Sequence, residues 1–444
     1  MSPDLPSYDE AAAVVAAYGA RLGRLRPSSE CVRLGLAAGR VLAQPLCADR
    51  DQPPFARSTR DGFACRALEA STHRFLDLVG ASRAGEAPAG PLPPGAAWEI
   101  MTGAPVPAGA DAVAMLEHVM IAHAEMAGKQ VRLLPPRRIT QGENIVAQGA
   151  QALQGDELLA AGTAIKSAQI ALAAACGYAA LEVFVRPRVA ILSTGDELVP
   201  VESSPAPGLI RNSNAPMLAA MVAAAGGEPW VLPTAADNAR SLDGALAEAA
   251  EADLLLITGG VSAGKFDLVE PALARAGARF HFTGVRIQPG KPLVFGELPS
   301  SRQAESQTHG EARTLPFFGL PGNPVSSAVT FLLFAAPVLA VLAGSLGSVP
   351  RFALARLASK ADKHGKPGLP PRRPRHVAGS PGLTRFLPAS CTFGATAGQL
   401  PEAAFVPWHG SGDLVALARS NCFLVVPEEA HRLEPGAIVR ILLP

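Results

Sequence analysis

The chain has no C-x-x-C pair. Its six cysteines, Cys31, Cys47, Cys65, Cys176, Cys391 and Cys422, are scattered over 444 residues, which excludes a zinc ribbon and a thioredoxin-type redox motif. Net charge is also missing: at +1 the chain carries no general electrostatic footprint for nucleic acid or an anionic lipid surface. The start, MSPDLPSYDEAAAVV, lacks the basic n-region and cleavage pattern of a secretory signal. With no disulfide framework in view, a reducing, cytoplasmic compartment is expected. Internal repeats of roughly 20–50 residues are absent as well.

Charge is locally absent in one stretch. No charged residue lies between Arg313 and Arg351, and Val325 to Leu346 is apolar enough to span a bilayer on length alone. Pro337 interrupts the run, Ser326, Ser327 and Thr330 sit in its first turns, and it follows directly on a strand and loop. A membrane span here would cut one strand of a sheet from its neighbours, so a buried helix is expected and no membrane partner.

What is present bounds the architecture. The length calls for about three or four domains. A hydrophobic share of 48% against 17% charged allows sizeable cores, and 43 glycines with 41 prolines favour α/β or β-rich parts over a helical bundle. The first residues, Ser7-Tyr8-Asp9-Glu10, have capping-box spacing before an Ala-rich helix to about Arg21. Leu34 to Leu42 reads as a second short helix stopped by Pro45. A proline-rich boundary follows at Asp51 to Pro54, then a turn-rich, β-rich stretch to about residue 144. Ser167 is expected to cap a helix ending at Gly177. From 187 to 345 strand and helix patterns alternate, which implies βαβ units, with Met217 to Ala225 and Asp243 to Ala250 as the clearest intervening helices. Residues 299–314 read as an exposed polar loop, and 360–376 as a basic, proline-rich stretch. Strand-sized runs at Cys422 to Val426 and Ile438 to Leu443 close the chain in a small β domain. The expected division is 1–50 with 145–186 as a discontinuous linking domain, 51–144 as a β-rich domain, 187–345 as an α/β domain and 346–444 as a C-terminal β domain.

Three segments carry most of the chemistry: RPRVAILSTGDEL (186–198), DLLLITGGVSAGKFD (253–267) and PFFGLPGNPVSSAVTF (316–331). Each is a continuous apolar run, as a buried parallel strand is, ending abruptly in Gly, Asp, Asn, Ser or Thr. In an open α/β sheet the loops at the carboxyl ends of the strands gather in one crevice where ligands bind. The content of these loops, backbone N–H groups, hydroxyls and carboxylates, suits a phosphate with a divalent cation.

Gly259 to Lys265 fits the front of a Walker A loop, but Phe266 stands where a P-loop needs Ser or Thr. The same residues hold G-x-S-x-G, centred on Ser262; a hydrolase triad would need Asp413 and His431, which fall in the presumed β domain. A glycine-rich anion loop through Gly259, Gly260 and Gly264 needs no missing residue. Thr194-Gly195-Asp196-Glu197 puts two carboxylates past a strand, and Asp237 and Asp267 are candidates in other loops; carboxylates beside a phosphate loop favour Mg²⁺, which takes oxygen ligands. Alone, an adjacent Asp-Glu is more often a solvated turn. Pro289-Gly290-Lys291 adds a cation on a stiff turn flanked by apolar residues. In Pro321-Gly322-Asn323-Pro324, Asn323 suits a helix N-cap and Pro324 the first helical turn, so the helix N-terminus faces an anion or merely punctuates strand and helix. Asp61-Gly62 and Thr102-Gly103, outside this region, read alone as turns.

RSTRDGFA, IMTGAPVPAGADAVAM, ILSTGDEL, ITGGVSAGKFD, QPGKPLVFG and GLPGNPVSS together resemble, in order and over nearly the whole length, the molybdopterin molybdenumtransferase family, related to the E domain of gephyrin. The resemblance implies an elongated α/β multidomain protomer: a doubly wound α/β molybdopterin-binding domain, a β-rich domain, a linking α/β segment and a small C-terminal β domain. It implies insertion of molybdenum from molybdate into adenylylated molybdopterin with Mg²⁺ and release of AMP, by a homodimer whose sites are shared. Asp61 and Thr102 would come from one protomer; Glu197, Asp237, Asp267, Lys291 and the Pro321–Pro324 turn would come from the other, with Glu197 and Asp61 toward the metal. A molybdopterin adenylyltransferase and molybdoenzyme chaperones would be further partners. The alternatives are a molybdopterin carrier or scaffold without turnover, and the preceding adenylyl transfer. The chain departs from the family pattern at Arg60, where methionine is usual, at Gln151 and Asn212, where acids are usual, and at Lys265. A guanidinium at Arg60, and secondarily Arg57, would offer a fork of donors to a tetrahedral oxyanion.

Overall fold

The computed structural model describes residues 5–23, 27–124, 128–260, 268–300, 314–345, 349–358, 377–392 and 399–444. Ser262, Gly264, Lys265 and Asp267 lie outside them, as do 301–313 of the polar loop and the basic 360–376 stretch.

The central unit is a six-stranded sheet in the order 228–231, 188–193, 254–258, 314–320, 294–299, 279–282. The first four strands are parallel; 294–299 runs opposite to them and pairs antiparallel on both sides, so the sheet is mixed. The parallel strands are the uninterrupted apolar runs of the sequence: Leu254 to Ile257 and Val189 to Leu192 are fully buried. Helices cover both faces. On one face, helices Asn214–Ala224 and Pro324–Leu342 pack over Val189, Ile191, Leu254, Leu256 and Phe318. On the other, Ala239–Ala249 and Val269–Arg275 pack over Ala190, Leu192, Leu255, Ile257 and Phe317. This is the doubly wound arrangement. Strand 188–193 lies between 228–231 and 254–258, so the chain leaves it first to one side and then to the other. That reversal opens a crevice at the carboxyl ends of 188–193 and 254–258.

Pro324–Leu342 is long and apolar enough to cross a membrane by composition, yet it is mostly buried within the chain as the core helix of this unit. Phe331, Leu333, Phe334, Val338 and Leu339 are essentially inaccessible. Removing one such side chain costs about 3–5 kcal/mol for Phe to Ala. A π-helical turn at Phe331–Ala335 precedes Pro337, whose missing N–H and ring cannot fit regular α geometry against the Leu333 carbonyl. The intervening helices begin earlier than their apolar patterns suggest, at Asn214 and Ala239: Asn238 caps the second by accepting from Ser241 N–H, and Asn212 accepts from Ala215 N–H at the start of the first.

The N-terminal helix Tyr8–Leu22 has its capping box between Ser7 and Glu10. Ala11, Val15 and Tyr18 join the core of the α/β unit, and Tyr8 packs edge-on against Phe334, Phe352 and Phe386. Burial pushes the Tyr8 phenol up to about 12. Arg21 and Thr314 both bind the buried Glu297 carboxylate, and although burial opposes ionisation, these donors keep its pKa below the usual value.

A second six-stranded sheet runs 112–115, 62–65, 96–100, 76–82, 128–133, 119–124. Short ladders pair 29–33 with 180–184, 46–47 with 157–159 and 57–58 with 145–146, carrying the chain out to this sheet and back. The helix expected over Leu34 to Leu42 is only a 3₁₀ turn, Leu34–Leu36. Gly39 takes a positive φ of 76°, which ends helical geometry, and the backbone of Leu42 bonds to Thr163 instead. Ser167 is the first helical residue of Ser167–Ala175 and Lys166 its cap, so Ser167 does not cap as expected. The third six-stranded sheet is C-terminal and takes in the short strand Ile287–Gln288, which pairs with Thr384–Arg385. Phe386, Phe423, Val425 and Leu442 of this sheet share the core of the α/β unit.

Candidate active site

Three strands end side by side at Ser193, Thr258 and Leu320, and their loops form the rim of the crevice. The backbones approach closely. A Cβ on Gly259 (φ 94°) would lie 2.4 Å from the Thr194 carbonyl oxygen, and one on Gly260 (φ 61°) 2.7 Å from Val269 Cγ2. Glycine is therefore required where the first two loops meet, and bare main chain faces the crevice. Gly322 of the third loop packs next to them, its Cβ position 3.5 Å from the Gly259 Cα. Thr194 is 2% exposed, and its hydroxyl has no hydrogen-bond partner among the described residues.

Asp196 and Glu197 divide sharply. Asp196 Oδ1 accepts from the Asp237 N–H at 3.0 Å, which ties the 194–198 loop to the next one. Glu197 is exposed, and its carboxylate folds over Gly195, where a Cβ would sit 2.5 Å from Oε2. The solvated-turn reading thus describes Asp196 in part, while Glu197 stays on the rim. Asp237 is exposed on the same side, just before Asn238, whose side chain caps its helix by accepting from Ser241 N–H at 2.9 Å.

The Pro289-Gly290-Lys291 turn lies against the core helix: a Cβ on Gly290 (φ 115°) would meet Thr330 Cγ2 at 2.6 Å. Pro289 and Gly290 are buried and Lys291 is exposed. Asn323 occupies the N-cap position, but its side chain makes no cap bond; its Nδ2 donates to Ser411 Oγ at 2.8 Å, and Val325 N–H donates to the Ser411 carbonyl at 3.0 Å. The C-terminal sheet domain therefore holds the Pro321–Pro324 turn. Ser411 lies far away in sequence in a polar turn, and no local pattern signals this contact.

Asp61 and Thr102 form a second cluster, on the other six-stranded sheet. Gly103 N–H bonds to Ser58 O at 2.8 Å and Ser58 N–H to Ala104 O at 3.0 Å, so the two motifs are knitted together. Asp61 Oδ1 accepts both the Thr102 N–H at 2.6 Å and the Thr102 hydroxyl at 2.8 Å. These two bonds, backbone first, hold the Asp61 carboxyl below the usual carboxylate range. Both fall on Oδ1, and Oδ2 has no partner among the described residues. A Cβ at Gly62 would strike the Ala114 carbonyl at 2.0 Å, so the strand after Asp61 needs glycine. Arg60 is exposed, its backbone held by Ser58 Oγ, and no ion pair engages its guanidinium among the described residues. Arg57 is half-buried, paired in the short ladder with Val146.

The structure thus brings Thr194, Gly195, Asp196, Glu197, Asp237, Gly259, Gly260 and the Pro321–Pro324 turn to one rim, and sets Asp61, Thr102 and Arg60 on another module. Among the described residues no hydrogen bond or ion pair joins the two sets, and no group of three acidic, histidine or cysteine side chains could hold a metal ion within one copy. Gln151 lies in the short connections between modules, its N–H on the Gln52 carbonyl, and Asn212 accepts from Ala215 N–H at 3.1 Å beside the rim.

Comparison with known proteins places the chain in a family. Residues 6–177 match the MoeA N-terminal region (domain I and II), 190–341 a probable molybdopterin binding domain, and 372–443 the MoeA C-terminal region (domain IV). The chain is similar to the molybdopterin molybdenumtransferase of Nostoc sp., at 33% identity over 93% of this chain and 88% of that protein. It is 34% identical to the molybdopterin molybdenumtransferase of Bacillus subtilis, over 94% and 90% of the two chains. Among solved structures it resembles the molybdopterin biosynthesis moeA protein of Pyrococcus horikoshii OT3, with a TM-score of 0.74, 27% identity and coverage of 99% and 100%.

Proposed function

The chain belongs to the molybdopterin molybdenumtransferase family, and from that premise we propose that it inserts molybdenum from molybdate into adenylylated molybdopterin, releasing AMP, at a site shared between two copies. The observation that carries the placement is the glycine-lined rim at the switch point of the α/β sheet. Bare backbone at Gly259, Gly260 and Gly322 suits phosphate oxygens, and Lys291 adds a cation at the same end of the sheet. Of the carboxylates there, Asp196 already ties two loops, which leaves Glu197 and Asp237 at the edge. Asp61, ionised by its two bonds from Thr102, supplies a further acid if it comes from a second copy.

The donor set fits Mg²⁺: Glu197 on the rim and Oδ2 of Asp61 from the second copy are both hard carboxylate oxygens. When bound there, the ion would offset the negative charge of the phosphates and molybdate. This chain's own residues do the rest. The glycine loops hold the phosphates, Thr102 keeps Asp61 ionised and aimed, and Lys291 counters the charge that develops as the phosphoanhydride breaks. Arg60 stands beside Asp61 as a donor for the oxyanion. No protein nucleophile is required: the dithiolene sulfurs replace two molybdate oxygens, which leave as water with protons from the thiols and solvent, and a water opens the phosphoanhydride to free AMP.

The test is a defined reaction: purified protein, adenylylated molybdopterin, molybdate and Mg²⁺, with AMP release followed by chromatography and molybdenum retention by elemental analysis. Molybdate-dependent AMP release with matching molybdenum incorporation is expected. Tight pterin binding without either would make the protein a carrier.

A further inference from the structure

We propose that Asn214 is a positioning residue for the transfer, a carboxamide clamp that sets the distance between the glycine loop and the Pro321–Pro324 turn. The inference deepens the site assigned above and rests on its placement at the sheet's switch point. Asn214 opens the helix Asn214–Ala224. Its Nδ2 donates to Thr258 Oγ1 at 2.9 Å and to the Gly322 carbonyl at 2.6 Å. Thr258 is the last residue of its strand, directly before Gly259-Gly260, and Gly322 lies in the turn that packs against Gly259. One amide therefore spans both loops and uses both of its hydrogens on them.

The clamp is anchored beneath. Thr258 is 2% exposed, and its hydroxyl lies 3.5 Å from that of Ser327, itself 0% exposed. The Ser327 hydroxyl donates to the Pro321 carbonyl, so the chain of polar groups returns to the turn where it began. The buried part of this ring, Thr258, Ser327 and the Pro321 carbonyl, is rigid, because each group there pays a desolvation penalty if its partner moves away. The Asn214 segment is also tied to the loop of Glu197: Ile210 N–H donates to the Glu197 carbonyl at 2.8 Å and Asn212 N–H to the Val199 carbonyl at 3.0 Å. Three strand-end loops thus take their spacing from the segment 210–214.

A plain helix-start role is the rival account, and it predicts the opposite response to one substitution. An aspartate at a first helical position is favoured by the helix dipole. In the clamp, however, a carboxylate at position 214 has no hydrogen to give the Gly322 carbonyl and would face it, and Thr258 could meet it only by turning its hydroxyl away from Ser327. Thus Asn214→Asp and Asn214→Ala are both expected to lose AMP-release turnover by about a hundredfold, since misplacement of reacting groups by an ångström has that scale. Affinity for AMP should weaken by less than about fivefold, because each loop still folds on its own strand. An Asn214→Asp enzyme with near-wild-type turnover would overturn the clamp.

If the Asn214 variants do not fold, Thr258 gives the same test from the other side. Thr258→Val should lose turnover and Thr258→Ser should recover most of it; equal activity of the two would reject the hydroxyl as anchor. The double variant Asn214→Ala/Thr258→Val should lower the melting temperature no more than the worse single change, whereas additive losses would show the two residues to be independent. This coupling does not depend on activity. A wild-type protein that releases no AMP would strike the proposed reaction and leave the clamp to be judged by the coupling alone.

Discussion

The two halves of the candidate site are built on opposite principles. The rim of the α/β sheet presents main chain: Gly259 and Gly260 are glycines because neighbouring atoms leave no room for a side chain. The 62–65 sheet presents one side chain, Asp61, held by two bonds from Thr102 on the facing motif. The rim offers main chain for an anion, with Asp196, Glu197, Asp237 and Lys291 exposed around it, whereas the Asp61 turn offers one carboxylate fixed by two bonds and no cradle of backbone donors. A backbone grip and a rigidly held carboxylate are complementary, which is the physical argument for uniting them across two copies.

The sharpest way to break this comparison is complementation. Asp61→Ala and Glu197→Ala should each reduce insertion by at least about a hundredfold, the scale on which removing a charge-stabilising group acts. In mixed dimers one site would keep both residues and the other neither. With random pairing, about a quarter of wild-type activity should return, by the symmetry of a two-fold dimer. Demonstrated heterodimers without recovered activity would rule out sharing.

The next effect separates grip from charge. Gly259→Ala forces a Cβ onto the Thr194 carbonyl and should weaken binding of AMP, measured by calorimetry, about as much as it weakens turnover. Asp61→Asn should lose turnover with AMP affinity nearly intact. Parallel losses in both variants would erase the distinction between the two halves.

A pH profile sharpens the charge half. The Thr102 bonds depress the Asp61 pKa, so the ionised form persists as pH falls below the usual carboxylate range. Activity that needs ionised Asp61 is then present above that depressed value and lost only as pH falls through it. Thr102→Val removes the hydroxyl bond but keeps the backbone one, so the acid limb of kcat should move to higher pH. An unmoved acid limb would assign it to another group. The smallest effect concerns Arg60: Arg60→Met should raise the molybdate concentration for half-maximal insertion a few-fold, with AMP binding unchanged and the difference shrinking in high sulfate. An unaltered molybdate dependence would remove Arg60 from the oxyanion's surroundings.

Much of this was legible in the chain itself. Continuous apolar runs such as Leu254 to Ile257 announce buried parallel strands, because a strand covered on both faces cannot alternate with polar residues. The glycines after them announce loops with main chain exposed. The capping box at Ser7 and Glu10 is likewise a local device, complete within four neighbouring positions. Local reading failed at Leu34 to Leu42, where apolar spacing favours a helix but Gly39 and the pairing of Leu42 with Thr163 decide otherwise. It placed Asn323 at the N-cap, where it stands, but could not show that its amide reaches Ser411 instead of capping.

What the sequence by itself determined is most of the elements, the doubly wound class and the loops that bear the chemistry, since each follows from periodicity and from residues whose backbone demands are intrinsic. The tertiary structure alone decided which of those loops touch. Asn214 reads as an ordinary residue at the start of an Ala-rich helix until its amide is seen to span Thr258 and Gly322, 44 and 108 residues away. Asp196 and Glu197 are neighbours of equal charge until one ties two loops and the other, exposed, folds over Gly195. Hydrogen bonds between distant segments have no signature in local spacing, because their partners are brought together only when the sheet orders its strands.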